Sequence, residues 1–313
     1  MKKIIITGAC GLVGMNLLSL IDKSKYQIIA IDKIEHNIIL AQKLSPEVEF
    51  IKADIVIDNN WKESFKNANC VIQLQAQISS SQKRAYIKNN IESVRNIISV
   101  CERYKIKHLI HLSSSVVISV ANDHYTNTKK IGEQLVIGSK VPHTILRPPL
   151  MYGCFDVKHL GFLTRILEIS PIFPMPGSGK YLRQPLFVQD LCRIIIHLIE
   201  IKPKSKIHNI IGKEKINLID LLKIIAKEKK IHRFYLKIPI LIFVLLLKCY
   251  SLITRSKPFV PDQLKALTAG DIFPVTGWEE EFGVKYTPFR EGIRKMLNSS
   301  YYKYRLEMER NKE

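Results

Sequence analysis

A glycine-rich segment near the N-terminus constrains the fold more than any other feature of the chain. It reads Thr7-Gly8-Ala9-Cys10-Gly11-Leu12-Val13-Gly14, follows the apolar run Ile4-Ile5-Ile6 and precedes a helical pattern. Glycine permits a tight turn and a close approach of backbone to phosphate, and the first N–H groups of a helix face an anion. The order of strand, glycine turn and helix therefore predicts a turn that holds a dinucleotide.

An acidic residue at the end of the second apolar run extends this prediction. Residues 27–31 are mostly apolar and lead into Asp32, which lies 24 residues after Gly8. An acid at this distance is typical of the residue that hydrogen-bonds the ribose of an adenine dinucleotide. Its carboxylate would repel a 2′-phosphate, so NAD is favoured over NADP. Lys33 weakens that preference and leaves NADP open, and an ordinary turn residue is the alternative interpretation of Asp32.

Composition narrows the classes of partner and compartment. With 46% hydrophobic and 24% charged residues, the 313-residue chain is globular. The formal net charge of +20 suits an anionic partner. The lysines are spread along the chain without an aromatic-interleaved basic motif, so nucleic acid is not expected. Six cysteines without paired spacing indicate a reducing, cytoplasmic compartment, and no metal site is predicted.

Apolar runs and helical patterns alternate through the first half of the chain. Strands are predicted at residues 2–7, 27–32, 48–51, 70–74, 108–112 and 144–146. Such alternation predicts an α/β fold, a doubly wound parallel Rossmann sheet with helices on both faces. After Arg147, prolines and glycines crowd residues 171–179, helical patterns dominate from residue 187, and only residues 206–211 still look like a strand.

This change of pattern predicts two domains. Residues 1–150 form the NAD-binding domain, and residues 151–313 form a smaller, mainly helical, C-terminal substrate-binding cap from which the chain crosses back to the sheet. The most apolar segment, residues 238–253, includes Pro239 and Lys248 and is too short for a spanning helix. We expect a buried or lid helix there, with a helix resting on an anionic membrane as the alternative, assisted by Lys237, Lys248, Arg255 and Lys257.

Tyr125 and Lys129 stand four residues apart at the start of a helical pattern. Their side chains therefore share a helix face, where an ammonium lowers the pKa of the phenol and makes it a usable general base. An exposed helix face is the alternative interpretation. Ser113, Ser114 and Ser115 follow the strand at residues 108–112, at the carboxyl edge of the sheet where ligands bind. A hydroxyl there can hold the reacting oxygen of a substrate.

Several segments together carry a family resemblance. They are the fingerprint Thr7-Gly8-x-x-Gly11-x-x-Gly14, Ala53-Asp54-Ile55, Leu74-Gln75-Ala76, Asn90, Ser114 with Tyr125 and Lys129, and Arg147-Pro148-Pro149-Leu150-Met151-Tyr152-Gly153. Over nearly its whole length the sequence resembles the extended short-chain dehydrogenase/reductases, in particular the NAD-dependent epimerase/dehydratase group that acts on nucleotide sugars. This resemblance implies Ser114, Tyr125 and Lys129 as the catalytic triad, with Ser113 and Ser115 open as alternatives to Ser114.

The resemblance also implies where the ligands bind. Contacts to NAD, or to NADP, are expected at Gly8, Cys10, Gly11, Leu12, Gly14, Asp32, Asp54, Ile55, Leu74, Gln75, Ala76, Asn90, Lys129 and Pro148. Ser115 and Arg183 are expected to contact the nucleotide-sugar substrate, since a guanidinium fork suits a diphosphate. Relatives commonly form homodimers through helices that correspond to residues 84–104 and 125–137. The family's strand-4 loop usually reads His-x-Ala-Ala, from which Gln73 and Gln75 depart.

The implied reaction is hydride transfer at a sugar carbon. Family dehydratases need an Asp-Glu pair directly after the catalytic serine or threonine, and Ser115-Val116 stand there instead, so dehydration is not expected. A 4-epimerase and a 4-ketoreductase both remain. The expected substrate is of the UDP-N-acetylhexosamine type, in polysaccharide synthesis. The competing class is a non-catalytic dinucleotide-binding subunit or a redox-sensing regulator, in which Tyr125 or Lys129 would be lost.

Overall fold

The protein, seen here in a computed structural model that describes residues 1–254, 270 and 272–310, consists of two compact units. The first comprises Met1–Pro149, Val188–Ile211 and Val275–Tyr286, and the second comprises Leu150–Phe187, Gly212–Pro274 and Thr287–Glu313. The chain therefore leaves the first unit and returns to it twice.

A seven-stranded parallel sheet forms the centre of the first unit. Its strands are β1 (Lys2–Thr7), β2 (Tyr26–Asp32), β3 (Glu49–Lys52), β4 (Cys70–Gln73), β5 (His108–Leu112), β6 (His143–Arg147) and β11 (Lys206–Asn209). They are arranged in the order β11-β6-β5-β4-β1-β2-β3. The predicted α/β Rossmann architecture is confirmed, and every predicted strand of this sheet agrees with an observed one to within two residues at each end.

Both faces of this sheet are covered, which explains its continuous apolar strands. Ile4, Ile5 and Ile6 are all fully buried although successive residues point to opposite faces. The helices of the unit are α1 (Leu12–Leu20), α2 (Glu35–Leu44), α3 (Lys83–Ile87), α4 (Ser93–Arg103), α5 (His124–Ile137), α7 (Val188–Glu200) and α10 (Trp278–Phe282). Because all seven strands run in one direction, the turns after β1, β4 and β5 meet at one edge.

The second unit is mainly helical and has its own core. Its helices are α6 (Leu160–Ile169), α8 (Leu218–Glu228), α9 (Ile240–Thr254), α11 (Phe289–Asn298) and α12 (Ser300–Arg310), and its strands are β7 (Met151–Tyr152), β8 (Ile172–Pro176), β9 (Leu182–Arg183), β10 (Leu186–Phe187), β12 (Ile216–Asn217) and β13 (Phe234–Ile238). Tyr152 packs edge-on against Phe289, with ring centroids 5.0 Å apart. This pair lies in a core that includes Leu221 and Ile225.

Strands β8 and β13 were not predicted, and the expectation that only residues 206–211 form a strand after residue 187 is wrong. The two strands pair in parallel, with Phe234 opposite Ile172 and Leu236 opposite Pro174. Proline is compatible with a strand only at an edge, and in a two-stranded sheet both strands are edges. The prolines within residues 171–176 are therefore the reason that β8 was not predicted as a strand.

Helix α9 occupies the most apolar segment of the chain, where a buried or lid helix was expected, and the helix is not buried. Leu241 is 86% exposed and Leu245 is 59% exposed. No helix in the described part of the chain is both long enough and apolar enough to cross a bilayer. Arg255 and Lys257, which were expected to assist this segment at a membrane, lie outside the described residues.

Candidate active site

The glycine turn between β1 and α1 is held by contacts that only glycine allows. Gly8 has a φ of +68°, and a Cβ on it would lie 2.6 Å from the backbone nitrogen of Gln75. A Cβ on Gly14 would lie 2.2 Å from the carbonyl oxygen of Ala9. The Cys10 N–H donates to Oδ2 of Asp32 at 3.0 Å. The turn is thereby fixed to the ends of both β2 and β4.

Gly11 differs from these two glycines, because protein packing does not require it. It has a φ of −83°, and the nearest atom to its Cβ would be the Gly8 carbonyl oxygen at 3.4 Å, an ordinary contact. Gly11 is the N-cap of α1, and no side chain caps this end and no acid lies in the first turn. A glycine backbone beside an uncapped helix N-terminus is a suitable cradle for a pyrophosphate.

This contrast predicts different results for two matched substitutions. We expect Gly14→Ala to lower the free energy of unfolding by about 1–3 kcal/mol, because the added methyl group overlaps Ala9. Gly11→Ala should change it by less than about 1 kcal/mol, yet weaken NAD binding at least about tenfold. Urea denaturation and calorimetric titration with NAD measure the two effects. Wild-type affinity in Gly11→Ala would exclude Gly11 from the phosphate site.

The two acids expected near the adenosine lie at neighbouring strand ends. Asp32 accepts hydrogen bonds from the N–H groups of Cys10 and Ile34. Asp54 accepts from Lys88 Nζ at 2.9 Å, and Lys33 Nζ lies 3.7 Å from the same oxygen. Burial raises the pKa of Asp54, but Lys88, the Val56 N–H and Lys33 outweigh it and lower the pKa. Asp54 is therefore an ionised anchor for two lysines.

The loop after β4 contains a buried donor that the protein leaves unsatisfied. Gln73 binds His111 inside the sheet, with 2.8 Å between Oε1 and Nδ1, and the Thr7 hydroxyl donates to Gln75 Oε1. The Nε2 atom of Gln75 is buried, and no group among residues 1–254, 270 and 272–310 accepts a hydrogen bond from it. Because Gln75 touches the turn at Gly8, a phosphate oxygen bound there would satisfy this donor.

The three serines after β5 have different partners. The Ser113 hydroxyl donates to the buried carboxylate of Glu133. The Ser115 N–H donates to the Pro148 carbonyl oxygen at 2.9 Å, which joins the ends of β5 and β6. The Ser114 side chain interacts with the phenol of Tyr125 and lowers its pKa. Of the three, Ser114 is therefore the serine placed beside the expected catalytic tyrosine.

Tyr125 and Lys129 lie in the first two turns of α5, which begins after the N-cap Asp123. Burial raises the pKa of the Tyr125 phenol, and the Ser114 side chain beside it offsets part of this rise. The expectation that Lys129 lowers this pKa is wrong for this geometry. The Lys129 ammonium instead donates to the Leu112 carbonyl oxygen at 2.8 Å, and burial lowers its own pKa from 10.5 to about 8.

The shifted pKa of Lys129 predicts a pH-dependent stability. Between pH 8 and 10.5 the unfolded chain carries more protons at this lysine than the folded chain, so stability rises with pH. The free energy of unfolding of the wild type, minus that of Lys129→Met, should increase by about 3 kcal/mol over this range. Chemical denaturation at a series of pH values measures the difference, in which other titrating groups cancel. If this difference does not change with pH, the Lys129 side chain is exposed to solvent.

Asn90 connects the loop after β4 to the helix of Tyr125. It lies in a π-helical turn, Lys88–Glu92, a local irregularity that is frequent at functional sites. Its Oδ1 accepts from the Gln77 N–H at 2.7 Å, and its Nδ2 donates to the Thr128 hydroxyl at 3.0 Å. A Cβ on Gly132 of α5 would lie 2.5 Å from the Asn90 carbonyl oxygen. Asn90 therefore positions α5 rather than acting as a loose surface amide.

A buried ion pair between Glu133 and Arg147 supports the same helix. This pair was not predicted from the sequence. Glu133 is 2% exposed, and both of its oxygens accept from the guanidinium of Arg147, with 3.0 Å between Oε2 and Nε. The Ser113 hydroxyl completes the arrangement. The spacing of Glu133 one turn after Lys129 was the available signal, but its partner lies on β6 and cannot be found from helix periodicity.

Arg183, the expected substrate contact, belongs to the second unit. It lies on β9, pairs with Ile216 of β12, and is 9% exposed. Its Nη1 donates to the Leu182 carbonyl oxygen at 3.1 Å. Leu12, Ile55, Leu74 and Ala76 flank the turns at the ends of β1, β3 and β4, as expected of residues near a cofactor.

Comparison with known proteins identifies the family. Residues 4–211 match the NAD dependent epimerase/dehydratase family, and the chain belongs to it. Human short-chain dehydrogenase/reductase family 42E member 1 is 26% identical over 224 residues, which cover 61% of this chain and 56% of that protein. The match thus spans little more than half of this curated relative.

Two solved structures share the fold over nearly the whole chain. UDP-glucose 4-epimerase from Thermotoga maritima, with UDP-glucose, has a TM-score of 0.78 at 17% identity and covers 97% of this chain and 99% of its own. UDP-glucuronic acid 4-epimerase from Bacillus cereus, in complex with UDP-glucuronic acid and NAD, has a TM-score of 0.71 at 20% identity and covers 98% and 99%. These likenesses establish the fold.

Proposed function

We propose that this protein is an NAD-dependent nucleotide-sugar 4-epimerase or 4-ketoreductase. The observation that supports it most is the placement of Ser114 beside the phenol of Tyr125, one helical turn from Lys129, at the sheet edge where the glycine turn also lies. Family membership and the UDP-sugar 4-epimerases that share the fold support the same reaction class.

The cofactor site suits NAD. The turn at Gly11 and the buried Nε2 of Gln75 would take the pyrophosphate, and Asp32 would take the adenosine ribose. Lys33, which left NADP open, is already engaged with Asn89 Oδ1 at 2.7 Å and with Asp54, so it does not offer an unpartnered charge to a 2′-phosphate. The Bacillus cereus structure holds NAD. When bound, NAD supplies the hydride acceptor and donor of the reaction.

The residues of this chain would handle the proton. Tyr125 would take the proton of a sugar hydroxyl as that carbon is oxidised, and return one to the ketone oxygen as it is reduced. Because burial raises its pKa, the phenol is protonated at neutral pH in this state and is ready for the reductive step. Ser114 would hold the reacting oxygen, and Lys129, fixed to the end of β5, would hold the nicotinamide ribose.

The proposed substrate is a UDP-sugar of the N-acetylhexosamine type, in polysaccharide synthesis. Arg183 would grip the diphosphate, because a guanidinium meets two phosphate oxygens at once. Ser115 would contact the sugar. The proposed assembly is a homodimer through the faces of α4 and α5. A non-catalytic dinucleotide-binding subunit is the second candidate. Such a subunit would be expected to lack Tyr125 or Lys129, and this chain has both residues.

The test is a substrate panel. Purified protein with NAD is incubated with UDP-glucose, UDP-glucuronic acid and UDP-N-acetylglucosamine, and the sugar configuration at C4 is followed by NMR. Inversion with catalytic NAD identifies an epimerase, whereas stoichiometric consumption of reduced cofactor on a 4-keto sugar identifies a ketoreductase. NAD binding without turnover of any sugar, together with no binding of UDP-sugars by calorimetry, would favour the binding subunit and reject the proposal.

A further inference from the structure

The second unit displays an exposed apolar surface that its own core does not use. We define the apolar surface as Ile172, Phe234 and Leu236 on the β8–β13 sheet, with Leu241, Ile242, Leu245 and Leu246 on α9, all of which are exposed. The opposite face of the same sheet packs inward, where Phe173 and Met175 are buried. An exposed patch of this kind marks an interaction site.

The sheet and the helix of this surface are joined closely. Phe234 lies opposite Ile172 and Leu236 opposite Pro174, so the exposed side chains share one face of the sheet. The Gly177 N–H donates to the Ile238 carbonyl oxygen at 2.7 Å, which fixes the end of β13. Only Pro239 separates β13 from α9. The apolar surface is therefore continuous along the chain from strand to helix.

Helix α9 has the composition of a segment in contact with lipid. From Ile240 to Leu247 it contains no polar residue, and its most exposed side chains, Leu241, Ile242, Leu245 and Leu246, lie on one face of the helix. A helix that is apolar all round is stable in a core or in a membrane, and among the described residues no α9 side chain belongs to the core of the second unit. Its 15 residues span roughly 22 Å, less than the roughly 30 Å of a bilayer interior.

The charged residues within the segment of β13 and α9 have one sign. No Asp or Glu occurs between Lys229 and Thr254, whereas Lys230, Arg233, Lys237 and Lys248 do; Lys229 is paired with Glu168 of α6 and adds no net charge. Lys230 and Lys237 are exposed. The strand β8 side is similar, because residues 169–182 contain the exposed Lys180 and no acid. A second copy of the same surface would meet these charges with like charges, whereas anionic lipid headgroups would complement them.

We propose that the apolar surface binds the protein peripherally to an anionic membrane leaflet. The exposed leucines of α9 and the side chains of Phe234 and Leu236 enter the acyl boundary, and Lys230 and Lys237 contact lipid phosphates. The activity would then operate at a membrane surface without a spanning helix. This inference stands apart from the proposed reaction, since membrane binding requires neither cofactor nor sugar.

The test is flotation of the full chain with vesicles of phosphatidylcholine alone or mixed with an equal part of phosphatidylglycerol. We expect binding to the mixed vesicles that weakens as salt is raised, and little binding to the neutral vesicles. Leu245→Asp should lower the partition coefficient about tenfold or more. The matched control is Ile57→Asp, because Ile57 is a similarly exposed isoleucine, at 66%, in the first unit.

Several outcomes would overturn this proposal. One is no binding of the wild type to the mixed vesicles. Another is equal loss of binding in Leu245→Asp and Ile57→Asp, which would show a nonspecific effect. Sedimentation velocity tests whether a second copy of the chain binds the apolar surface instead. A concentration-dependent dimer that Leu245→Asp disrupts would assign the surface to that second copy. Circular dichroism of both variants verifies that they are folded.

Discussion

Replacing Tyr125 by phenylalanine should lower the turnover of the sugar substrate by about 10²–10⁴-fold, the range that a positioned acid–base group contributes. The phenol lies beside Ser114 at the carboxyl edge of the sheet, and phenylalanine removes the only proton that this ring can exchange. Because the ring itself is retained, NAD affinity and the free energy of unfolding should change little.

The matched control for this substitution is Tyr104→Phe. The Tyr104 hydroxyl donates to Glu63 Oε1 at 2.7 Å on the exposed side of the first unit, away from the serines. Steady-state turnover and NAD titration are measured for both variants. Wild-type turnover in Tyr125→Phe would remove the tyrosine from the reaction, and an equal loss in both variants would point to a general effect on the fold.

A second large effect is expected for the buried ion pair. Glu133→Gln leaves the guanidinium of Arg147 without its charged partner, and breaking a buried pair in this way costs about 3–5 kcal/mol of unfolding free energy. The glutamine has one acceptor oxygen in place of two, so it cannot accept from Ser113 and from both guanidinium nitrogens as the carboxylate does, and the end of β5 should loosen. Urea denaturation measures the loss, and turnover should fall with it because α5 also carries Tyr125.

Glu63→Gln serves as the comparison for this prediction. Glu63 forms an exposed pair with Arg103, with 3.8 Å between the charged atoms, and such pairs contribute at most about 1 kcal/mol. A change in Glu133→Gln as small as that in Glu63→Gln would mean that the buried pair does not stabilise the helix. A double variant that also replaces Arg147 by methionine should recover part of the stability, since no buried charge then remains unpaired.

The sequence allowed the sheet to be predicted because its strands are buried on both faces. A run such as Ile4-Ile5-Ile6 has few other places in a globular protein, and the glycine turn fixed the direction in which the chain leaves it. Strands β8 and β13 were not predicted because proline normally argues against a strand. The exposure of α9 was not predicted because apolar content alone indicates burial.

The relative positions of the candidate site residues could be predicted only where these residues share a local motif. The positions of Gly8, Tyr125 and Lys129 follow from spacing along one turn or one helix. The partners of Glu133 and Asn90 could not be inferred, because Arg147 and Gln77 lie on other elements and meet them only after folding. The same limit applies to the serines, since the bond from Ser113 to Glu133 distinguishes it from Ser114 only in three dimensions.

The three-part composition of the first unit has a consequence for biosynthesis. Strand β11 pairs with β6, and Trp278, 1% exposed, donates its indole N–H to the Ile211 carbonyl oxygen at 3.0 Å. A nascent chain on the ribosome therefore cannot close this hydrophobic core until Val275–Tyr286 has emerged. We therefore expect folding during translation to depend on chaperones. We also expect a fragment that ends near residue 150 to be insoluble.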